Sequence, residues 1–203
     1  PNTGGMGAYS PAPVVTPAIH AKAMREVILP TVRGMAADGI PYTGFLYAGL
    51  MIGKDGSVKV VEFNCRMGDP ETQPIMMRLK SDLLELLEHA VSGKLDQIEA
   101  EWDRRIALGV VLAAANYPET PRKGDVISGL PAESETVKVF HAGTEEKDGK
   151  VVTAGGRVLC VTALGDNVKL AQKHAYEAIL GIHFDGMQFR RDIGHRAVTR
   201  KEQ

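Results

Sequence analysis

Apolar positions change their spacing several times along the chain, and each change marks an expected element. Ile19, Met24, Val27 and Ile28 recur near helical spacing. Pro30 is expected to end or kink that helix, because it lacks an N–H and its ring crowds the preceding turn. A second helical stretch then runs through Val32, Met35 and Ala36 to Gly39. Residues 45–52 and 58–64 are rich in β-branched and aromatic side chains and flank Asp55-Gly56, which predicts a β-hairpin. An irregular polar segment, 65–74, precedes 75–79 and an amphipathic helix over 82–91. Ser81 is its expected N-cap and Gly93 its stop.

Residues 93–102 read as a connection to a second unit. Beyond them, 106–115 predicts a long apolar strand, 117–125 a Pro-rich loop, and 137–141 and 157–164 further strands. Asp148-Gly149 predicts a tight hairpin turn. Residues 168–182 carry apolar side chains at helical spacing: Leu170, Ala171, Ala175, Ala178 and Ile179. Residues 1–17, with four Pro and three Gly among Asn, Thr and Ser, predict a loop or extended arm.

Composition narrows the class. At 203 residues, with 44% apolar and 24% charged residues, the chain has the make-up of an ordinary globular protein of one large or two modest domains. A net charge of -1 offers no global positive field, so neither a nucleic acid nor an anionic membrane is an expected partner. The longest apolar run falls well short of the roughly 20 residues that a spanning helix needs. No signal peptide is evident, and the start on Pro1 suggests a fragment or a processed chain. Cys65 and Cys160 lie far apart in expected strand interiors, which predicts reduced thiols and a cytoplasmic protein, with Cys65 packed in a core. The six histidines show no metal-ligand spacing. Trp102 reads as an anchor at the domain boundary, and 145–148 as a solvated hairpin tip.

Candidate chemistry concentrates in 61–73. Counting by twos along the strand puts Val58, Val60, Glu62 and Asn64 on one face and Lys59, Val61 and Phe63 on the other. A carboxylate and an amide at the strand end offer two oxygen ligands to Mg²⁺, which takes few protein oxygens beside phosphates and water. The same spacing also describes a solvated strand terminus. Arg66 supplies a planar fork for carboxylate or phosphate oxygens, or forms a structural ion pair with Asp69 or Glu71. Asn2, Thr3, Gly4, Gly5, Met6 and Gly7 either form a backbone nest for an anion or are a plain flexible loop.

Longer matches carry a resemblance. Pro1 to Pro11, the strand Gly44-Phe45-Leu46-Tyr47-Ala48-Gly49-Leu50-Met51, the Glu62–Gln73 segment, Gly155-Gly156-Arg157-Val158-Leu159 and the closing Arg190-Arg191-Asp192-Ile193-Gly194-His195-Arg196-Ala197 resemble the glycinamide ribonucleotide synthetases, which are ATP-grasp ligases. The resemblance is to the C-terminal half. It implies an α+β fold: 1–95 as the C-terminal portion of an ATP-grasp domain, an antiparallel sheet with helices, then 96–203 as a small mixed α/β C-terminal domain.

The resemblance also implies ligation of glycine to 5-phosphoribosylamine at the expense of ATP, through glycyl phosphate, in purine synthesis. Glu62 and Asn64 would hold Mg²⁺ or Mn²⁺, and Arg66 would act on the transferring phosphoryl or the glycine carboxylate. Thr3, Gly4, Gly5, Met6 and Gly7, with Asp69, Glu71 and Thr72, would bind substrate. The partner would be the missing N-terminal half of the same protein, without which this chain is expected to be inactive. Alternatives are another ATP-grasp carboxylate-amine ligase, or a noncatalytic module binding metal or a phosphosugar. Two departures stand out: 45–52 lacks Asp or Glu to add a metal carboxylate, and Asn116 stands where the family commonly has Gly.

Overall fold

The computed structural model describes residues 3–132 and 134–199. Contacts divide the chain into two compact units that alternate along the sequence. The first comprises Pro1–Ser10, Asp69–Arg78 and Asp103–Gln203, and the second Pro11–Gly68 and Leu79–Trp102.

The first unit is built on a four-stranded antiparallel sheet in the order β1-β4-β8-β5, from β1 (Gly7–Ser10), β4 (Ile106–Ala113), β5 (Val137–His141) and β8 (Arg157–Gly165). The central strands β4 and β8 are buried on both faces, which is why their sequences are apolar almost without alternation. On one face Leu108, Val110, Leu112, Leu159 and Val161 pack with Ala171, Ala175 and Ile179 of α5 (Val168–Ile179), whose N-cap Asn167 accepts from the Leu170 N–H. On the other lies α3 (Thr72–Arg78): a Cβ on Gly109 would meet Pro74, Cys160 and Thr162. The hairpin β6 (Thr144–Lys147) and β7 (Lys150–Thr153) closes through Asp148 and Gly149, both at positive φ, as a two-residue primed turn requires. The short helix α6 (His195–Val198) follows Gly194.

Two expectations change in this unit. Residues 7–10, expected within a loop or extended arm, are a strand at the sheet edge, paired Gly7↔Val110 through Ser10↔Ala107. The partner edge is supplied by residues about a hundred positions later, which local composition does not reveal. Residues 72–78 form helix α3 where part of an irregular segment was expected, with the Ile75 N–H bonded to the Glu71 carbonyl. Asn116 takes φ 65, a left-handed conformation that Asn tolerates better than most residues, so the departure from Gly leaves the local turn intact.

In the second unit, α1 (Pro17–Ala23), a π-helical segment (Met24–Ile28) and α2 (Leu29–Ala37) run on without a break. Pro30 therefore does not end the helix. The widened turn ahead of it, in which the Leu29 N–H reaches the Met24 carbonyl, gives the ring room against the preceding turn. Strands β2 (Tyr47–Ile52) and β3 (Val58–Asn64) form the expected hairpin. Helix α4 (Leu83–Val91) is capped by Asp82, whose carboxylate accepts from the Leu84 N–H; Ser81, the expected cap, instead accepts from the Glu101 N–H. Its far end is a Schellman turn on Gly93 at φ 70, with Lys94 N–H bonded to the His89 carbonyl and Gly93 N–H to that of Ala90.

Among the described residues Val27 is the one buried hydrophobic side chain of this unit, while Val61, Leu84 and Val91 are 66%, 63% and 78% exposed. Cys65 is exposed, against the expectation of a core position, because β3 ends at Asn64 and leaves it in the following loop. No helix among the described residues is long and apolar enough to cross a membrane.

Candidate functional site

The candidate residues fall into two groups, one in each unit. In the second unit, Glu62 and Asn64 do share a face of β3, but the apolar residues before them do not. The pairing runs Tyr47↔Asn64 and Gly49↔Glu62, then shifts so that Leu50 faces Val60. Val61 is thus the extra residue of a β-bulge. Directly paired residues point to the same side, so Glu62 and Asn64 lie with Tyr47, Gly49, Met51 and Lys59. Val58 and Val60 lie on the opposite face with Leu50 and Ile52.

Gly49 makes space for the carboxylate: a Cβ there would stand 3.0 Å from Glu62 Cγ. An exposed carboxylate and an amide oxygen side by side, with no sulfur or imidazole, form a hard donor pair that fits a magnesium-like cation. Among the described residues no group of three or more His, Cys, Asp or Glu gathers to complete a cage, so such an ion would take its remaining ligands from elsewhere. Arg66 is exposed and donates to the Met67 carbonyl at 2.9 Å.

In the first unit, Arg157 ties together two of the predicted stretches. Its guanidinium donates to the Asp69 carbonyl at 2.8 Å and to the Gly5 carbonyl at 3.4 Å, and pairs with the Asp69 carboxylate at 3.0 Å. The Asp69 carboxylate is thereby engaged by Arg157. A Cβ on Gly5 would sit 1.9 Å from Arg157 Nη1, so only glycine admits this clamp. The Thr3 hydroxyl is within 2.9 Å of the Tyr117 hydroxyl. Met6 is buried, and Gly7 sits so close to Gly109 and Ile193 that a Cβ would come within 2.8 Å of both. These contacts make the loop 3–7 a fitted part of the first unit; Asn2 lies outside the described residues. Glu71 precedes α3 and Thr72 opens it.

The same loop forms one wall of an open cleft of about 620 Å³. Thr3, Gly4 and Gly7 line one side, and Arg190, Asp192, His195 and Arg196 the other. Helix α5 fixes the second wall: Tyr176 Oη donates to the Arg190 carbonyl at 2.7 Å and accepts from the Ile193 N–H at 3.1 Å, and Gln172 Nε2 donates to the Ile193 carbonyl at 2.7 Å. Burial raises the Tyr176 phenol above its ordinary range. The Arg190 fork holds the Asp192 carboxylate, with Nε at 2.8 Å from Oδ1, and lowers its pKa below the usual value. Neither Arg157 nor this second wall was singled out for a role from sequence. Their only sequence signal was membership in matching stretches, because each acts across 88 residues of chain or more.

Two family descriptions match the chain: "Phosphoribosylglycinamide synthetase, ATP-grasp (A) domain" over residues 1–72 and "Phosphoribosylglycinamide synthetase, C domain" over 107–196. The chain belongs to the phosphoribosylglycinamide synthetase family. A phosphoribosylamine-glycine ligase of Ralstonia nicotianae is 68% identical over 200 residues, covering 98% of this chain and 47% of the relative. One of Vibrio vulnificus is 67% identical over 204 residues, covering 100% and 48%. The crystal structure of a phosphoribosylamine-glycine ligase from Thermotoga maritima superposes with a TM-score of 0.82 at 40% identity, covering 95% of this chain and 47% of that one. The chain therefore spans about half the length of the synthetase relatives it matches. A Kluyveromyces lactis urea carboxylase shares the fold alone, at a TM-score of 0.66 and 16% identity over 97% of this chain and 17% of that one. The fold class is α+β, and the first family description assigns residues 1–72 to ATP-grasp.

Proposed function

We propose that this chain is the metal- and substrate-binding portion of a phosphoribosylamine-glycine ligase, which joins glycine to 5-phosphoribosylamine at the expense of ATP. The observation that carries the reading is the shared face of Glu62 and Asn64, cleared by Gly49, in a chain of this family. In this reading the glycine carboxylate is phosphorylated to glycyl phosphate, and the amine of the phosphosugar then displaces phosphate from the acyl carbon. Such transfers depend on positioning and charge neutralisation more than on covalent help from the protein.

Glu62 and Asn64 would hold the divalent cation, Mg²⁺ or Mn²⁺, which when bound neutralises the oxygens of the nucleotide phosphates. Arg66, exposed at the end of the same strand, offers a fork to the transferring phosphoryl or the glycine carboxylate. Thr3, Gly4, Gly5, Met6 and Gly7 line the phosphosugar pocket, and Asp69, Glu71 and Thr72 orient its amine and ribose. Asp69 can do so from a fixed position, because Arg157 holds both its carbonyl and its carboxylate. We place the boundary between the ATP-grasp portion, 1–95, and the C-terminal domain, 96–203, in the span between the two family matches, and the reaction in the cytoplasm. The polypeptide that precedes this region in the relatives would supply most of the nucleotide affinity.

The test is turnover by the whole ligase. ADP and phosphate should form only when glycine and 5-phosphoribosylamine are both present; equal turnover with another amino acid or another amine would overturn the assignment.

A further inference from the structure

Residues 3–7 and Asp69 lie in the stretch matched by the ATP-grasp description, 1–72, yet they are anchored by residues of the stretch matched by the C-domain description, 107–196. The Thr3 hydroxyl meets the Tyr117 hydroxyl at 2.9 Å, the Gly5 carbonyl accepts from Arg157, and the Met6 carbonyl accepts from the Val111 N–H at 3.1 Å. Asp69 presents both its carbonyl and its carboxylate to the same arginine. Along the chain, Gly5 and Asp69 are joined only through Pro11–Gly68, which belong to the second unit. Among the described residues Arg157 is the one side chain that bonds both.

Strand β8 is shaped to deliver that arginine. Leu112 faces Leu159, but the next pair is Ala113↔Arg157, so Val158 is the extra residue of a β-bulge. Strict alternation would put Arg157 with Leu159 on the α5 face. The bulge turns it instead to the face of Ala113 and Gly109, against which α3 packs and where Asp69 leads into that helix. Val158 stays fully buried in the core, so the bulge forfeits no apolar burial. Gly156, one residue earlier, seats the other anchor: a Cβ there would fall 2.7 Å from the Tyr117 ring, and its carbonyl accepts from the Ala114 N–H at 2.8 Å. The start of β8 thus reaches the loop at two points, Thr3 through Tyr117 and Gly5 directly.

We propose that Arg157 and Tyr117 are positioning residues for the ligation. They fix the separation between loop 3–7 and Asp69, and so hold the phosphosugar and its attacking amine in register, without touching either. The brace itself rests on these contacts, and its catalytic meaning rests on the proposed ligase reading. Reactions of this kind are sensitive to such spacing, since a misplacement of about 1 Å costs roughly a hundredfold in rate.

Steady-state kinetics of the whole ligase, well below the melting temperature of each variant, test it. Arg157→Ala should lower kcat/KM for the phosphosugar amine by roughly ten- to a hundredfold, through a raised KM and a lowered kcat, with the KM values for ATP and glycine unchanged. Arg157→Lys should recover part of the loss. Gly5→Ala, whose Cβ would fall 1.9 Å from Arg157 Nη1, displaces the guanidinium without removing its charge and should give the same defect. Once residue 157 is alanine that methyl has room, so the double variant should be no worse than Arg157→Ala alone. Tyr117→Phe should raise the same KM by about two- to tenfold, as expected for one neutral hydrogen bond. A merely structural arginine would reduce the amount of active enzyme, and hence kcat, while leaving every KM alone. That pattern, an unchanged kcat/KM, or additive losses in the double variant would each overturn the brace and spare the ligase reading, because the wild type would still ligate glycine. Hydrogen exchange of the same proteins reads the brace apart from catalysis: the Gly4 and Gly5 amides should exchange faster in Arg157→Ala than in wild type, and equal rates would overturn it. Faster exchange in a protein whose wild type does not ligate glycine would overturn the ligase reading and leave the brace standing.

Discussion

Replacing Arg157 with Ala removes three contacts at once, and their geometry sets the expected cost. The ion pair with Asp69 spans 3.0 Å between side chains 30% and 49% exposed, so solvent screening holds it to about 0–1 kcal/mol. The bond to the Asp69 carbonyl, at 2.8 Å, comes from a charged donor, a class worth about 1.5–3 kcal/mol; partial exposure places this one near the lower end. The reach to the Gly5 carbonyl, at 3.4 Å, is too long to add much. The total is about 1–2 kcal/mol, which lowers the melting temperature by roughly 2–8 °C in a chain of this size. Scanning calorimetry of Arg157→Ala beside Arg157→Lys measures it. Lysine keeps a point charge for Asp69 but loses the fork, so it should fall between wild type and alanine. A shift under about 1 °C for the alanine variant, or a lysine variant less stable than alanine, would refute the clamp.

Four further outcomes follow from the same structure. Glu62→Gln in the whole ligase should cut turnover by several kcal/mol of barrier while leaving the melting temperature unchanged, because the side chain is exposed; an unchanged rate removes Glu62 from the metal site. A thiol reagent at neutral pH should label Cys65, which is exposed, and spare Cys160, whose thiol burial pushes up to about 12 from 9.0, until the chain is unfolded. Since that raised pKa holds the proton more tightly in the folded state, the associated stability is intact below pH 9.0 and is lost as pH climbs toward about 12; Cys160→Ala should flatten this alkaline slope in denaturant titrations. Gly129→Ala, with φ 72 and a Cβ that would fall 1.8 Å from the Gly181 carbonyl oxygen, should destabilise by more than about 3 kcal/mol, read as a shift in denaturant midpoint at constant slope.

What could be read from sequence was whatever is encoded within a few residues. The Asp148-Gly149 turn, the β2–β3 hairpin and the Gly93 helix stop each depend on a conformation that one or two residue types favour, and each is present. The pairing of Glu62 with Asn64 on a common face was also legible, since the bulge falls before both. Its misreading of Val58 and Val60 came from counting by twos through Val61, where the strand carries an unpaired residue that no local signal marks. The edge strand Gly7–Ser10, the Arg157 clamp and the cleft wall at 190–196 all join positions about a hundred or more residues apart. Their cause is tertiary, and a linear pattern does not contain it.

The pairing of β1 with β4 has a consequence for synthesis. Gly7–Ser10 leaves the ribosome long before Ala107–Val110, the residues it must pair with. At roughly 5–20 residues per second the wait is about 5–20 s, far longer than a hairpin or helix takes to form. During that interval the glycine-rich segment has no sheet to join, and the intervening residues of the second unit emerge first. The sheet of the first unit can thus close on β1 only after residues 107–110 have emerged. An early-emerging segment that must stay available for its distant edge favours small, weakly self-associating residues, and Gly-Gly-Met-Gly-Ala at 4–8 meets that requirement as well as the demands of the finished cleft.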